Sequence, residues 1–147
     1  ADIATRGAQV ARGLGLDPRV AFVSFSTFGY PVSERATKMH LAPQVLDARG
    51  VDFEYDGEMA VDVALNPEVM KHYPFCRLSG PANVLVVPAR HSASISVKLM
   101  QEMAGATVIG PILTGVAAPI QICSTVSTVN DILNMAAISA CKLGQAK

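Results

Sequence analysis

The sequence predicts an α/β protein: a mostly parallel sheet with helices on both faces, in three layers. Two observations predict it. Short apolar runs of strand length alternate along the chain with segments whose apolar residues recur at helical spacing. One of those runs, "NVLVVP", is continuously apolar and stopped by proline, the pattern of a strand covered on both faces.

The elements follow in order. Ile3, Val10 and Leu14 recur on one side of an opening helix, Gly13 and Gly15 offer C-terminal stops, and Asp17 with Pro18 turns the chain into a buried strand, "RVAFVSFS". A loop of small residues, "TFGYPVS", leads to a helix over "ATKMHLAPQVLDARG", in which Pro43 disturbs or restarts the middle. After "VDFEYDGEM", the stretch "VALNPEVMKHY" reads as a short helix, and "NVLVVP" as the strand described above. "SASISVKLMQEMAG" sets Ile95, Leu99 and Met103 on one helical face, turns Lys98, Gln101 and Glu102 away, and stops at Gly105. "TVIGPIL" and "APIQICS" read as two more strands. The closing helix, "TVNDILNMAAISACKLG", places Val129, Ile132, Leu133, Ala136 and Ala140 at helical spacing.

Composition narrows the class of function. Of 147 residues, 50% are apolar and 16% charged, which suits one core in one domain. The 12 basic and 12 acidic residues are scattered, so neither nucleic acid nor an anionic membrane surface is expected as a partner. No apolar run approaches the roughly 20 residues of a spanning helix. Cys76, Cys123 and Cys141 are odd in number, far apart and set among apolar residues, as expected of reduced thiols in a cytoplasmic protein. His40 and His72 lack partners at ligand spacing, so no metal site is expected. The chain starts without methionine inside a helical pattern, and the expectation is that it is a segment of something longer.

In open parallel sheets ligands bind beyond the carboxyl ends of the strands, so the loops after "VSFS", "LVVP" and "IQIC" are the candidate sites. The first holds Ser24, Ser26, Thr27, Gly29 and Tyr30, hydroxyls and flexible backbone suited to a phosphate or a pantetheine arm, or simply to a strand exit. The second puts Arg90, His91, Ser92 and Ser94 just before or at a helix N-terminus, where free N–H groups attract anions and a serine also caps. The third holds Ser124, Thr125 and, at a helix start, Asp131; Thr128 to Asp131 has the spacing of a capping box. Phosphate-loop and dinucleotide fingerprints are missing: "GPANVLVVP" has no lysine in place, and Gly13 and Gly15 follow a helix.

Taken together, "VAFVSFSTFG", "YDGEMAVDVALNPEV", "GPANVLVVPARHSASISVKLMQEMAGATVIGPILTGVAAPIQ" and "NDILNMAAISA" resemble the phosphotransacetylase family, collinearly from about Asp2 to Cys141. Members of that family move an acetyl group between phosphate and coenzyme A. The resemblance implies the phosphotransacetylase-like (isocitrate dehydrogenase-like) fold, of which this chain matches the second half. "NPEVMKHYPFCRLSGPANVLVVPARHSASIS" is similar to the version found as the C-terminal part of bacterial NADP-dependent malic enzymes. Free-standing transacetylases usually have aspartate, leucine and asparagine where this chain has Ala89, Arg90 and His91.

The resemblance also implies roles. Active transacetylases carry a serine-arginine pair and then an aspartate that takes the thiol proton of coenzyme A; these fall on Ser124, Thr125 and Asp131. Threonine offers one neutral donor where arginine has five donors and a full charge. Removing one such preorganised group typically costs about 10²- to 10³-fold in rate. The expectation is therefore a domain without transacetylase chemistry that keeps acetyl-coenzyme A or coenzyme A as a ligand and helps assemble a homo-oligomer. NADP and a divalent cation, Mg or Mn, are expected only in a missing N-terminal part, together with the rest of a malic enzyme chain. An active phosphate acetyltransferase, with Arg90 supplying the cation, and a ligand-free assembly module are the alternatives.

Overall fold

The structure is a computed structural model that describes residues 1–141. Helix α1 (Asp2–Gly13) leads to strand β1 (Arg19–Val23), a 3-10 turn (Glu34–Ala36), α2 (Thr37–Arg49), β2 (Glu54–Met59), α3 (Val61–Leu65), α4 (Pro67–Met70) and β3 (Val84–Val86). Helices α5 (Arg90–Ala104) and α6 (Val129–Ala140) complete the described chain. Residues Ala1–Ser92 form one compact unit, and a second begins at Ala93.

In the first unit three parallel strands lie in the order β2-β1-β3, with Val20 of β1 paired to Tyr55 on one side and Val84 on the other. Parallel neighbours need crossover connections, and α2 and the α3–α4 pair provide them. Side chains alternate across β1. Val20 and Phe22 join Ala4, Ala8, Met39, Leu46 and Val86 in one cluster, while Ala21 and Val23 join Met59, Val63, Ala64, Leu78 and Ala82 in another. Helices α1 and α2 thus cover one face and α3 the other, the three layers the alternation predicts.

Two glycines are fixed by close approach. A Cβ on Gly57, whose φ is +135°, would stand 2.6 Å from the Phe22 carbonyl oxygen. One on Gly7 would stand 2.9 Å from Val84 Cγ1, so α1 rests on β3 at backbone distance.

Several expectations are corrected here. Helix α1 buries Ala4, Ala8 and Ala11 and leaves Ile3 and Leu14 exposed, because only small residues let it lie so near the sheet. Pro43 neither breaks nor restarts α2; it sits buried inside one continuous helix. Strand β3 is covered on one side only, with Val86 buried and Leu85 exposed. Arg90 and His91 do not precede α5 but form its first residues, and Ser92 and Ser94 lie within it.

The second unit departs further. "TVIGPIL" and "APIQICS" form no strands. Pro111 and Pro119 remove ladder donors, and the Gln121 amide stands in for a partner strand, accepting from Leu113 N at 2.7 Å and donating to Leu113 O at 3.3 Å. No residue of α5 is buried, so Ile95, Leu99 and Met103 lie exposed beside the polar residues they were set against. Helix α6 buries Met135 and Ile138, whereas Val129, Ile132 and Leu133 are exposed. The predicted end of that helix, residues 142–144, falls outside the described residues.

Leu46 is fully buried between α2 and the sheet. Leu46→Ala is expected to cost about 2–5 kcal/mol, read as a lower midpoint in equilibrium urea unfolding with little change in slope.

Candidate functional site

Strand β1 is central, and the chain moves from it first to β2 on one side and later to β3 on the other. That reversal makes the loops leaving β1 and β3 the switch point at which parallel sheets take ligands. The Phe22–Val86 pair ends the β1–β3 ladder, so both chains leave the sheet from the same level. Ser26, Thr27, Gly29 and Tyr30 follow β1, and Arg90, His91 and Ser92 follow β3.

The β1 loop is an internally braced turn. Thr27 and Tyr30 exchange backbone hydrogen bonds at 2.7 and 3.1 Å around Phe28 and Gly29, both at positive φ. For phenylalanine that conformation costs on the order of 1–2 kcal/mol, so the surroundings must impose it. They do so from β2. Phe28 N donates to the Glu58 carbonyl at 2.7 Å, and Ala60 N donates to Thr27 Oγ1 at 3.0 Å. The Phe28 ring packs edge-on to Phe75, with centroids 4.9 Å apart, and tilted on Tyr73.

Beneath the turn lies a residue that the sequence reading passed over. Glu58 is 1% exposed. Its Oε1 accepts from Ser26 Oγ at 2.9 Å and Gly29 N at 2.7 Å, and its Oε2 meets Nδ1 of half-exposed His40 at 2.8 Å. Burial works against its charge, but the hydrogen bonds from Gly29, His40 and Ser26 outweigh it and hold the carboxyl below its ordinary value. His40 is thus not the lone histidine its sequence spacing implies. One signal was legible: Glu54, Asp56 and Glu58 place an acid at every second position of β2, an odd choice for a strand against a core.

Asp56, also buried, takes a guanidinium. It accepts from Arg77 N at 2.7 Å and Arg77 Nε at 3.4 Å, while Arg77 Nη1 reaches Asp47 at 2.7 Å and the guanidinium lies 4.8 Å from the centre of the Tyr55 ring. This network is closed and structural. Burial pushes the nearby Cys76 thiol up, which keeps it protonated and unreactive.

The third loop belongs to the second unit. Ser124 and Thr125 are exposed, and Ser124 Oγ accepts from Val126 N at 3.3 Å. Asp131 completes a capping box: its Oδ2 accepts from Thr128 N and Thr128 Oγ1, both at 2.8 Å, and Asp131 N donates back to Thr128 Oγ1 at 3.2 Å. These bonds, the backbone one first, lower the carboxyl's proton affinity and make it a weaker base. Among the described residues no cluster of three or more His, Cys, Asp or Glu is placed to hold a metal, and no helix is long and apolar enough to cross a membrane.

Residues 1–140 match the family described as phosphate acetyl/butaryl transferase. The chain belongs to that family. Among its relatives, an NADP-dependent malic enzyme of Rhizobium meliloti is 57% identical over 98% of this chain and 19% of its own length. A probable NADP-dependent malic enzyme of Rickettsia prowazekii is 46% identical over 92% of this chain, again 19% of that protein. A phosphate acetyltransferase of Staphylococcus aureus is 35% identical over 95% of this chain and 44% of its own length. The EutD phosphotransacetylase structure from Staphylococcus aureus superimposes with a TM-score of 0.86 at 34% identity, covering 97% of this chain and 44% of that one. The chain therefore spans about a fifth of the malic enzymes and under half of the transacetylases it matches.

Glu58 also sets a pH dependence in this family member. Its unfolded carboxyl titrates near 4.3, and its folded value is lower, so between the two the unfolded chain binds more protons. The stabilisation is complete above the unfolded value and is lost as pH falls through the folded one. Unfolding free energy should therefore drop between about pH 5 and pH 3, and drop less steeply in Glu58→Gln, as measured by urea melts across that range.

Proposed function

We propose that this chain is the regulatory and oligomerisation segment of an NADP-dependent malic enzyme, binding acetyl-coenzyme A without transferring its acetyl group. The observation that carries the reading is the higher identity to the malic enzymes than to the transacetylases. Two features of the third loop support it. Thr125 stands where the resemblance places an arginine, and the carboxylate of Asp131 is engaged as a helix cap. A helix-start aspartate held by two donors serves poorly as a base for a thiol.

In this reading the longer cytoplasmic protein oxidises and decarboxylates malate to pyruvate and carbon dioxide, with NADP and Mg or Mn held by residues outside this chain. Acetyl-coenzyme A occupies the switch point at the β1 and β3 exits, and inhibits by binding one conformational or assembly state better than another. The coupling is reciprocal: whatever the ligand does to the malate state, malate does to the ligand.

A second reading, an active phosphate acetyltransferase, draws on the close superposition with a transacetylase over nearly the whole chain. One set of assays on the full-length protein separates the two. We expect acetyl-coenzyme A to inhibit malate-dependent NADPH formation, and acetyl phosphate with coenzyme A to yield no thioester above background. Thioester formation at a rate of at least about 1 per second, within the ordinary enzyme range, would establish the second reading instead.

A further inference from the structure

We infer that Glu58 is the positioning residue of the β1 loop, and that the loop so braced receives an uncharged part of a ligand rather than an anionic group. The inference rests on the acetyl-coenzyme A reading and deepens it. Its basis is the fate of the loop's donors. Thr27 N bonds Tyr30 O, Phe28 N bonds Glu58 O, Gly29 N bonds Glu58 Oε1 and Tyr30 N bonds Thr27 O, while Ser26 N faces Ser24 Oγ at 3.5 Å. Ser26, fully buried, donates its hydroxyl to the same carboxylate. A backbone cradle for phosphate needs free N–H groups converging on one point, and across the turn from Thr27 to Tyr30 each already has an acceptor.

Charge argues in the same direction. A carboxylate lies directly under the turn, and it repels a second anion brought against the loop. What the loop offers outward is the exposed ring and hydroxyl of Tyr30 and exposed Phe25 and Val32, since Thr27 Oγ1 already accepts from Ala60 N. Apolar surface with one hydroxyl suits an acyl-pantetheine chain, with its amides and thioester, and suits phosphates poorly. Glu58 makes that surface possible by holding Phe28 and Gly29 at positive φ, and His40 holds Glu58 from α2.

Hydrogen exchange on the full-length protein, read by mass spectrometry over peptides covering residues 24–32, tests both halves. Adding acetyl-coenzyme A should slow exchange in that peptide, and adding adenosine 3′,5′-bisphosphate, the charged half of the ligand, should not. Glu58→Ala should speed exchange there by roughly tenfold or more while α1 and β1 peptides keep their protection, and should weaken acetyl-coenzyme A binding by a similar factor. His40→Ala, which leaves the buried carboxylate in place, should do both to a smaller extent. Loosening of the loop with unchanged affinity would overturn the inference, and so would equal loss of protection throughout the unit, which marks a merely structural role. Protection of the loop by the bisphosphate alone would overturn the assignment to the uncharged part. Absence of any acetyl-coenzyme A binding to the wild-type protein would instead remove the sensor reading on which the inference rests.

Discussion

A carboxylate removed from water must find a donor for each oxygen or give up its charge, and the arrangement at the end of β2 follows from that demand on Glu58. Its oxygens are met by a serine hydroxyl and a glycine N–H of the β1 loop and by a histidine of α2. Three stretches far apart in sequence are thereby held to one point. Remove the carboxylate, and the turn loses its hold on Gly29 N and Ser26 Oγ, leaving Phe28 at positive φ to the backbone bonds and ring packing alone. The neighbouring acid of the same strand, Asp56, solves the same problem differently, drawing Arg77 and, through it, Asp47 and Tyr55 together. Along one strand, alternate acids thus recruit the segments on either side of it.

The alternation of strands and helices was legible because it rests on spacing, which survives without knowledge of the fold. Which face each helix buries was not. Helix α1 seats itself through alanines, whose apolar signal is weak, while the conspicuous Ile3 and Leu14 stay in solvent. In the second unit the residues read as the core faces of α5 and α6 are exposed, and α6 buries Met135 and Ile138 instead, so amphipathic spacing there does not identify the buried side. The strands expected near Pro111 and Pro119 failed for a chemical reason: a ladder needs donors, and proline has none.

The candidate site divides in the same way. The role of Asp131 as a helix cap was visible in the sequence because its partner lies three residues away, within reach of local pattern. Glu58 and His40 are separated by 18 positions and meet only through the crossover from α2 to β2, so spacing alone reads His40 as unpartnered. The hydroxyls of the β1 loop looked available for a ligand until the structure placed Ser26 under the surface with its proton directed at Glu58. Family resemblance supplied the positions worth inspecting; hydrogen-bond accounting decided what each can still do. Of the candidates in the β1 loop, Tyr30 keeps an outward-facing group, whereas Ser26 and Thr27 are engaged within the protein.

The alanine face of α1 has a consequence for how the unit opens. Ala4, Ala8 and Ala11 bring the helix to the sheet through closeness, with Gly7 almost touching Val84, so the contact is rich in dispersion but poor in apolar area. Lifting α1 away would expose little hydrocarbon from the helix itself beyond what it uncovers on the sheet at Val84 and Val86. Such an opening carries a small heat-capacity change and a shallow dependence on denaturant, unlike the opening of α2, which uncovers Met39 and Leu46. The first helix is therefore held by fit, a restraint that enlarging any one of those alanines by a single methylene would begin to undo.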